Sequence, residues 1–203
     1  MILQRLKCET RAEHERLEHQ LDLLDDTISN ERYDALLRGF YGFYAPLENR
    51  LLHRPEWRTL DFDVEPRRKV SLLQCDLLCR GFSRAQIETI PPCSALPDVN
   101  SFAQALGCLY VLEGSTLGGQ ILARHFARVL DIDAQSGAAF FCSYGEHVGT
   151  MWRSFGQMLT AQATSPAIEE QMIGAARSTF EALETWLCPT PGTALIQRSI
   201  ERR

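Results

Sequence analysis

Residues 102–130 read FAQALGCLYVLEGSTLGGQILARHFARVL. Helical periodicity runs through this stretch, which predicts one long helix from Phe102 to about Leu130 with Asn100 as its expected cap. Inside it stands Gly114-Ser115-Thr116-Leu117-Gly118-Gly119. A glycine in a helix interior costs about 0.5–1 kcal/mol relative to alanine, so three of them cost roughly 2–3 kcal/mol. Gly114 and Gly118 share one face, and Ser115 and Gly119 share another. Two readings account for that cost. The glycines allow a close helix–helix contact or a break; or they present bare, flexible backbone to a flat ligand. The stretch has neither Gly-x-Gly-x-x-Gly nor Gly-Lys-Ser/Thr, so it is not a phosphate-binding loop.

The same periodicity extends outward in both directions. Leu3, Leu6, Thr10, His14, Leu17, Leu21 and Leu24 recur at steps of three and four and mark one stripe of a first helix. A second helix is expected from Ser29 as N-cap, turning Tyr33, Leu36, Leu37, Phe40, Tyr44, Leu47 and Leu51 inward. Pro46 should kink or interrupt it. Residues 54–66 read as a loop, 67–80 as a third helix, and 90–97 as irregular chain. Another helix is expected from about Glu146 to Ala161. The last begins at Ser165-Pro166, a cap followed by proline at the first helical position. No run alternates with period two and no repeat is present. The expected fold is all-α: a compact helical bundle forming a single domain over residues 1–203.

Composition narrows the function. A formal net charge of −5 argues against a general binder of nucleic acid or anionic membrane. Any site for an acidic ligand must then be a local cluster of Lys and Arg. Seven cysteines without a Cys-x-x-Cys read as reduced thiols in a cytoplasmic protein rather than a disulfide framework or zinc site. Cys75 and Cys79 are expected to pack inside a helix contact. No secretory leader or membrane span is expected, and the polar residues 197–203 cannot form a membrane anchor.

His14 breaks an apolar stripe. It is either a core histidine with a hydrogen-bond partner or a ligand to iron, which neutral imidazole binds readily. Lys7 lies one heptad earlier, on nearly the same face of a straight helix and about 10 Å away along its axis. His125 reads as structural or surface-exposed.

Three blocks resemble haem oxygenase, most closely the soluble bacterial enzymes that supply biliverdin to phytochromes. They are Leu6 through Glu18, Tyr110 through Gln120, and Trp152-Arg153-Ser154. The resemblance implies a haem held between a proximal first helix and a distal glycine-containing helix. It makes His14 the axial iron ligand, with Glu18 as its polar neighbour and Phe180 as a pocket wall. Gly114 and Gly118 would line the distal oxygen pocket, and Lys7 and Arg153 would pair with the haem propionates. A guanidinium suits that task because its planar fork can hold both carboxylate oxygens. Many family members carry aspartate directly after the first distal glycine, where this chain has Ser115. The implied reaction takes haem b as both cofactor and substrate. It uses O2 and an external electron donor, such as ferredoxin or a flavin reductase, and yields biliverdin, CO and Fe2+. Attack at the α-meso carbon and transfer of biliverdin to a bacterial phytochrome follow from the same resemblance.

Other functions are weaker fits. A haem carrier or sensor on the same fold would bind haem without turnover. A di-iron carboxylate oxidase needs Glu-x-x-His pairs. None of His14, His19, His53, His125 and His147 has a glutamate three residues before it. A plain helical interaction module leaves the glycines, Lys7, His14 and Arg153 as coincidence.

Overall fold

The computed structural model describes residues 1–188; the polar segment 197–203 lies outside them. The helices are α1 (Ile2–Glu9), α2 (Arg11–Leu21), α3 (Asn30–Leu52), α4 (Val70–Cys79), α5 (Arg84–Glu88), α6 (Phe102–Leu130), α7 (Val148–Gln162) and α8 (Pro166–Leu187). Short 3-10 turns occupy Pro55–Thr59, Glu65–Arg67 and Gly145–His147. There is no strand among the described residues, so the all-α expectation holds.

Local chemistry explains the helix ends. Ser29 caps α3 by accepting from the Arg32 amide, and Ser165 caps α8 by accepting from Ile168 ahead of Pro166. The cap of α6 is Ser101, not Asn100. Its hydroxyl accepts from the Gln104 amide while the Gln104 side chain accepts from the Ser101 amide. Ser83 and Gln86 build the same reciprocal pair on α5, a helix that periodicity did not anticipate because it spans little more than one turn. Pro46 neither ends nor splits α3, which runs on to Leu52. All seven inward positions expected on that helix are buried.

The first helix differs from expectation. It breaks at Thr10 into α1 and α2, and it ends at Leu21 with Asp22 in the left-handed region. Leu24 is therefore outside the helix and exposed. At the break, the Thr10 hydroxyl donates to Leu6 O, and Arg177 of α8 donates to the freed carbonyl of Glu9. Leu6 O also accepts from the Thr10 amide, so it is Arg177 that satisfies a carbonyl a continuous helix would have paired. Cys75 and Cys79 are both exposed, contrary to the packing role expected of them. They lie on the outer face of α4, whose inner face is Leu73, Asp76 and Leu77.

α8 is the spine of the bundle. α6 packs along it, and α1, α2 and α3 also rest on it. The α6–α8 approach is closest at Gly107, where a Cβ would occupy the space of the Met172 carbonyl. Buried side chains from Ile2 to Leu183 form one continuous core.

The capping geometry sets a test. Ser101→Ala should destabilise the protein by about 0.5–2 kcal/mol in urea titration, while Asn100→Ala should leave the midpoint nearly unchanged. A larger loss from Asn100→Ala would place the cap where the sequence pattern put it.

Candidate haem site

The Tyr110 phenol of α6 lies against Thr10, the residue at the break between α1 and α2. His14 stands one helical turn beyond Thr10, and Gly114 stands one turn beyond Tyr110. The contact at the helix break therefore brings the expected ligand and the glycine face into one neighbourhood.

His14 is not a core histidine. Its side chain is 51% exposed although Leu6, Thr10 and Leu17 of the same stripe are buried. The ring makes an edge contact with buried Phe180 of α8, with centroids 5.5 Å apart. Its Nδ1 lies 3.6 Å from Glu18 Oε2. A carboxylate facing Nδ1 favours the tautomer with its proton there and leaves the Nε2 lone pair free for a metal.

The glycines divide between the two roles considered for them. Gly119 packs tightly: a Cβ there would lie 2.6 Å from the Phe141 carbonyl. Gly114 and Gly118 do not. A Cβ on Gly114 would reach only the Trp152 ring at 3.9 Å, and one on Gly118 would meet nothing within 4 Å. α6 passes through all three without a break. Leu117 and Ile121, on the same turns, are 43% and 53% exposed.

Ser115 is exposed, yet its hydroxyl is engaged. It donates to Leu112 O at 2.8 Å and lies 3.2 Å from the Tyr44 hydroxyl. A serine has one hydroxyl proton. With that proton on Leu112 O, Tyr44 is the donor to Ser115, and Ser115 keeps only acceptor capacity for another group. Tyr44 is buried beside Phe40 and Phe140, and burial pushes its phenol well above the usual range. Periodicity placed Tyr44 in the core; nothing in its spacing announced a bond to the glycine segment.

Lys7 and Arg153 are both exposed, and neither forms an ion pair among the described residues. The break at Thr10 falls between Lys7 and His14, so the straight-helix spacing between them does not apply. Arg153 sits on α7 next to Trp152, whose ring packs on Tyr110 at 5.7 Å. His125 is buried and its Nε2 lies 3.2 Å from Asp25 O, a structural role.

A family model described as Heme oxygenase matches residues 1–188. The chain belongs to the heme oxygenase family. Haem degradation is the function of that family, and its members are enzymes. A heme oxygenase of Xanthomonas campestris pv. campestris is 28% identical over 165 residues, covering 79% of this chain and 91% of that protein. The fold is similar to the NO- and CO-bound heme oxygenase of Neisseria meningitidis, with TM-score 0.74 and 24% identity over 92% of this chain and 90% of that one. It is also similar to heme oxygenase-1 of the cyanobacterium Synechocystis in complex with heme, with TM-score 0.75 and 15% identity over 99% and 97% of the two chains.

The residues of this heme oxygenase fit a haem. They supply one half-exposed imidazole, a helix face without side chains at Gly114 and Gly118, an aromatic wall at Phe180, and two unpaired cations. Among the described residues, no group of three or more His, Cys, Asp or Glu converges as a site for a bare metal ion.

Sequence reasoning missed a buried charge cluster behind the distal glycines. Glu113 of α6 is 1% exposed and pairs with both Arg67 and Lys69, which are themselves buried. The Tyr144 hydroxyl donates to Glu113 at 2.7 Å and accepts from Lys69 Nζ at 2.6 Å. Glu48 accepts from the Lys69 and Val70 amides at the start of α4. Desolvation lowers the Lys69 pKa against the pull of Glu113, and burial raises that of Glu48. Removing one member of a buried pair costs about 3–5 kcal/mol, because its partner is left charged and dry. The one signal available was a Glu directly before the glycines, on a helix otherwise apolar around it.

The glycine geometry makes a prediction that needs no haem. In the ligand-free protein Gly118→Ala should raise stability by about 0.5–1 kcal/mol through helix propensity. Gly119→Ala should lower it by about 1–3 kcal/mol by overpacking against Phe141. Thermal unfolding of both variants checks this; the opposite ranking would mean that Gly118, and not Gly119, is the packing contact.

Proposed function

We propose that this chain binds haem b through His14 and cleaves it to biliverdin, CO and Fe2+ with O2 and electrons from an external donor. The observation that carries the reading is the pairing of a half-exposed His14 on α2 with the bare Gly114/Gly118 face of α6, both helices being seated on α8.

Haem, when bound, supplies the iron that activates oxygen and the ring carbon that is attacked. The chain's own groups do the rest. His14 offers Nε2 as a neutral nitrogen ligand, with the Glu18 carboxylate 3.6 Å from Nδ1 on the other side of the ring. A neutral imidazole donates less electron density than a thiolate, so it favours O–O cleavage less strongly. Phe180 backs the imidazole. Gly114 and Gly118 leave room for a small molecule to lie along the macrocycle. Ser115, held by Tyr44 and Leu112 O, presents a lone pair that can accept from a water. Lys7 and Arg153 are the cations available to the propionates. In this reading residues 1–203 form one domain. The free thiols support a cytoplasmic setting, a ferredoxin or flavin reductase serves as donor, and a bacterial phytochrome is the recipient that the glycine block's resemblance supports.

The deciding experiment adds haem and a reductant to the protein in air. Loss of the Soret band with a biliverdin spectrum is expected. A persistent Soret band would instead indicate a haem carrier or sensor. His14→Ala should abolish the histidine–haem spectrum, and added imidazole should restore it; an unchanged spectrum in the variant would sink His14 as ligand. Ser115→Ala removes a hydrogen bond worth about 0.5–1.5 kcal/mol. Single-turnover biliverdin formation should then stay within about tenfold of the parent. A collapse with haem still bound would make Ser115 an essential proton carrier.

A further inference from the structure

The buried cluster lies next to two parts of the haem site in the chain, and one side chain joins them. Arg67 pairs through Nη1 with Glu113, the residue before Gly114. Through Nη2 it donates to Met151 O, two residues before Arg153, at 3.2 Å. The guanidinium carbon lies 4.4 Å from the Phe62 ring centroid and 5.7 Å from that of Phe155, two rings that also touch each other at 6.5 Å. A planar fork held against these rings transmits position better than a flexible ammonium would.

The other members brace the pair. Lys69 Nζ donates to Arg67 O at 2.8 Å, to Tyr144 and to Glu113. Tyr144 holds a left-handed backbone, φ +66°, that side-chain-bearing residues rarely adopt. Its hydroxyl is saturated by one donor and one acceptor in the cluster. The same loop presses the Phe141 carbonyl onto Gly119, and Asp76 of α4 anchors it by accepting from the Ala139 and Phe140 amides. α6 is thus gripped at Glu113 and at Gly119, on either side of Ser115 and Gly118.

We propose that the Arg67–Glu113 pair is a positioning element for haem, holding the bare Gly114/Gly118 face and the Arg153 segment at one fixed spacing. This rests on the proposed haem chemistry. A macrocycle pinned at a propionate by α7 and covered by α6 can present one meso carbon reproducibly only if those helices keep their relative position. Arg67, Glu113, Lys69 and Tyr144 touch neither haem nor oxygen in this arrangement; they act through the backbone of α6 and α7.

Two variants and two measurements test it. Glu113→Gln keeps shape and removes the charge; Tyr144→Phe keeps the ring and removes only one hydroxyl, so it remains informative if the first does not fold. Hydrogen exchange of the ligand-free protein is followed by mass spectrometry, and biliverdin isomers are separated after turnover. Exchange over residues 113–121 and 148–153 should speed up by about tenfold or more, while residues 102–109, held at Gly107, stay protected. The biliverdin should change from one dominant isomer to a mixture, with the His14-dependent haem spectrum unaltered. Uniform acceleration over α6 and α8 together with an unchanged isomer pattern would overturn the proposal, since it would mean the cluster supplies stability alone. If the parent protein makes no biliverdin, the haem-cleaving reading fails on that result, and the exchange pattern alone decides whether the pair positions α6 and α7.

Discussion

α8 sets the separation of α2 and α6, the two helices proposed to hold haem between them. α2 rests on it through Phe180 behind His14 and through Glu184, which accepts from Arg16 and Gln20. α6 rests on it through Gly107, at a distance that admits no side chain. Neither helix is placed by a strong direct grip on the other. Two helices seated on a shared third element keep their spacing, because close-packed interfaces resist small displacements.

Keeping a helix face bare has a cost, and the structure shows where compensation comes from. Gly114 and Gly118 add nothing to packing and weaken α6 by propensity. The capping pair of Ser101 and Gln104 secures one end of the helix, and tight contacts at Gly107 and Gly119 bracket the open stretch. The ion cluster at Glu113 fixes its position. Such a cluster is a poor source of net stability, since desolvation offsets attraction. Its directional demands are strict, however, and that is what a positioning device needs.

Ser115, where the resemblance implies an aspartate, gives the site a definite local chemistry. A carboxylate would bring charge and several acceptor sites. Ser115 brings one hydroxyl that already donates to Leu112 O and accepts a hydrogen bond from Tyr44. The polar group at this point is therefore neutral, and the neighbouring carboxylate, Glu113, is turned into the protein against Arg67 and Lys69.

Most of the helices, the caps at Ser29 and Ser165 and the inward face of α3 were legible in the sequence, because helical period and capping chemistry are local properties. His14, Gly114 and Gly118 stood out for the same reason: each violates a local rule, an imidazole on an apolar stripe or glycine in a helix, and such violations mark places where another demand dominates. Tertiary structure alone decided which glycines are open and which are packed, since that depends on Met172 and Phe141, far away along the chain. It also decided the break at Thr10, where Arg177 satisfies the Glu9 carbonyl that the break exposes. The buried cluster was invisible for a physical reason. Arg67, Lys69, Glu113 and Tyr144 are each ordinary in their own segment; only folding removes them from water together, and only then does each charge require the others.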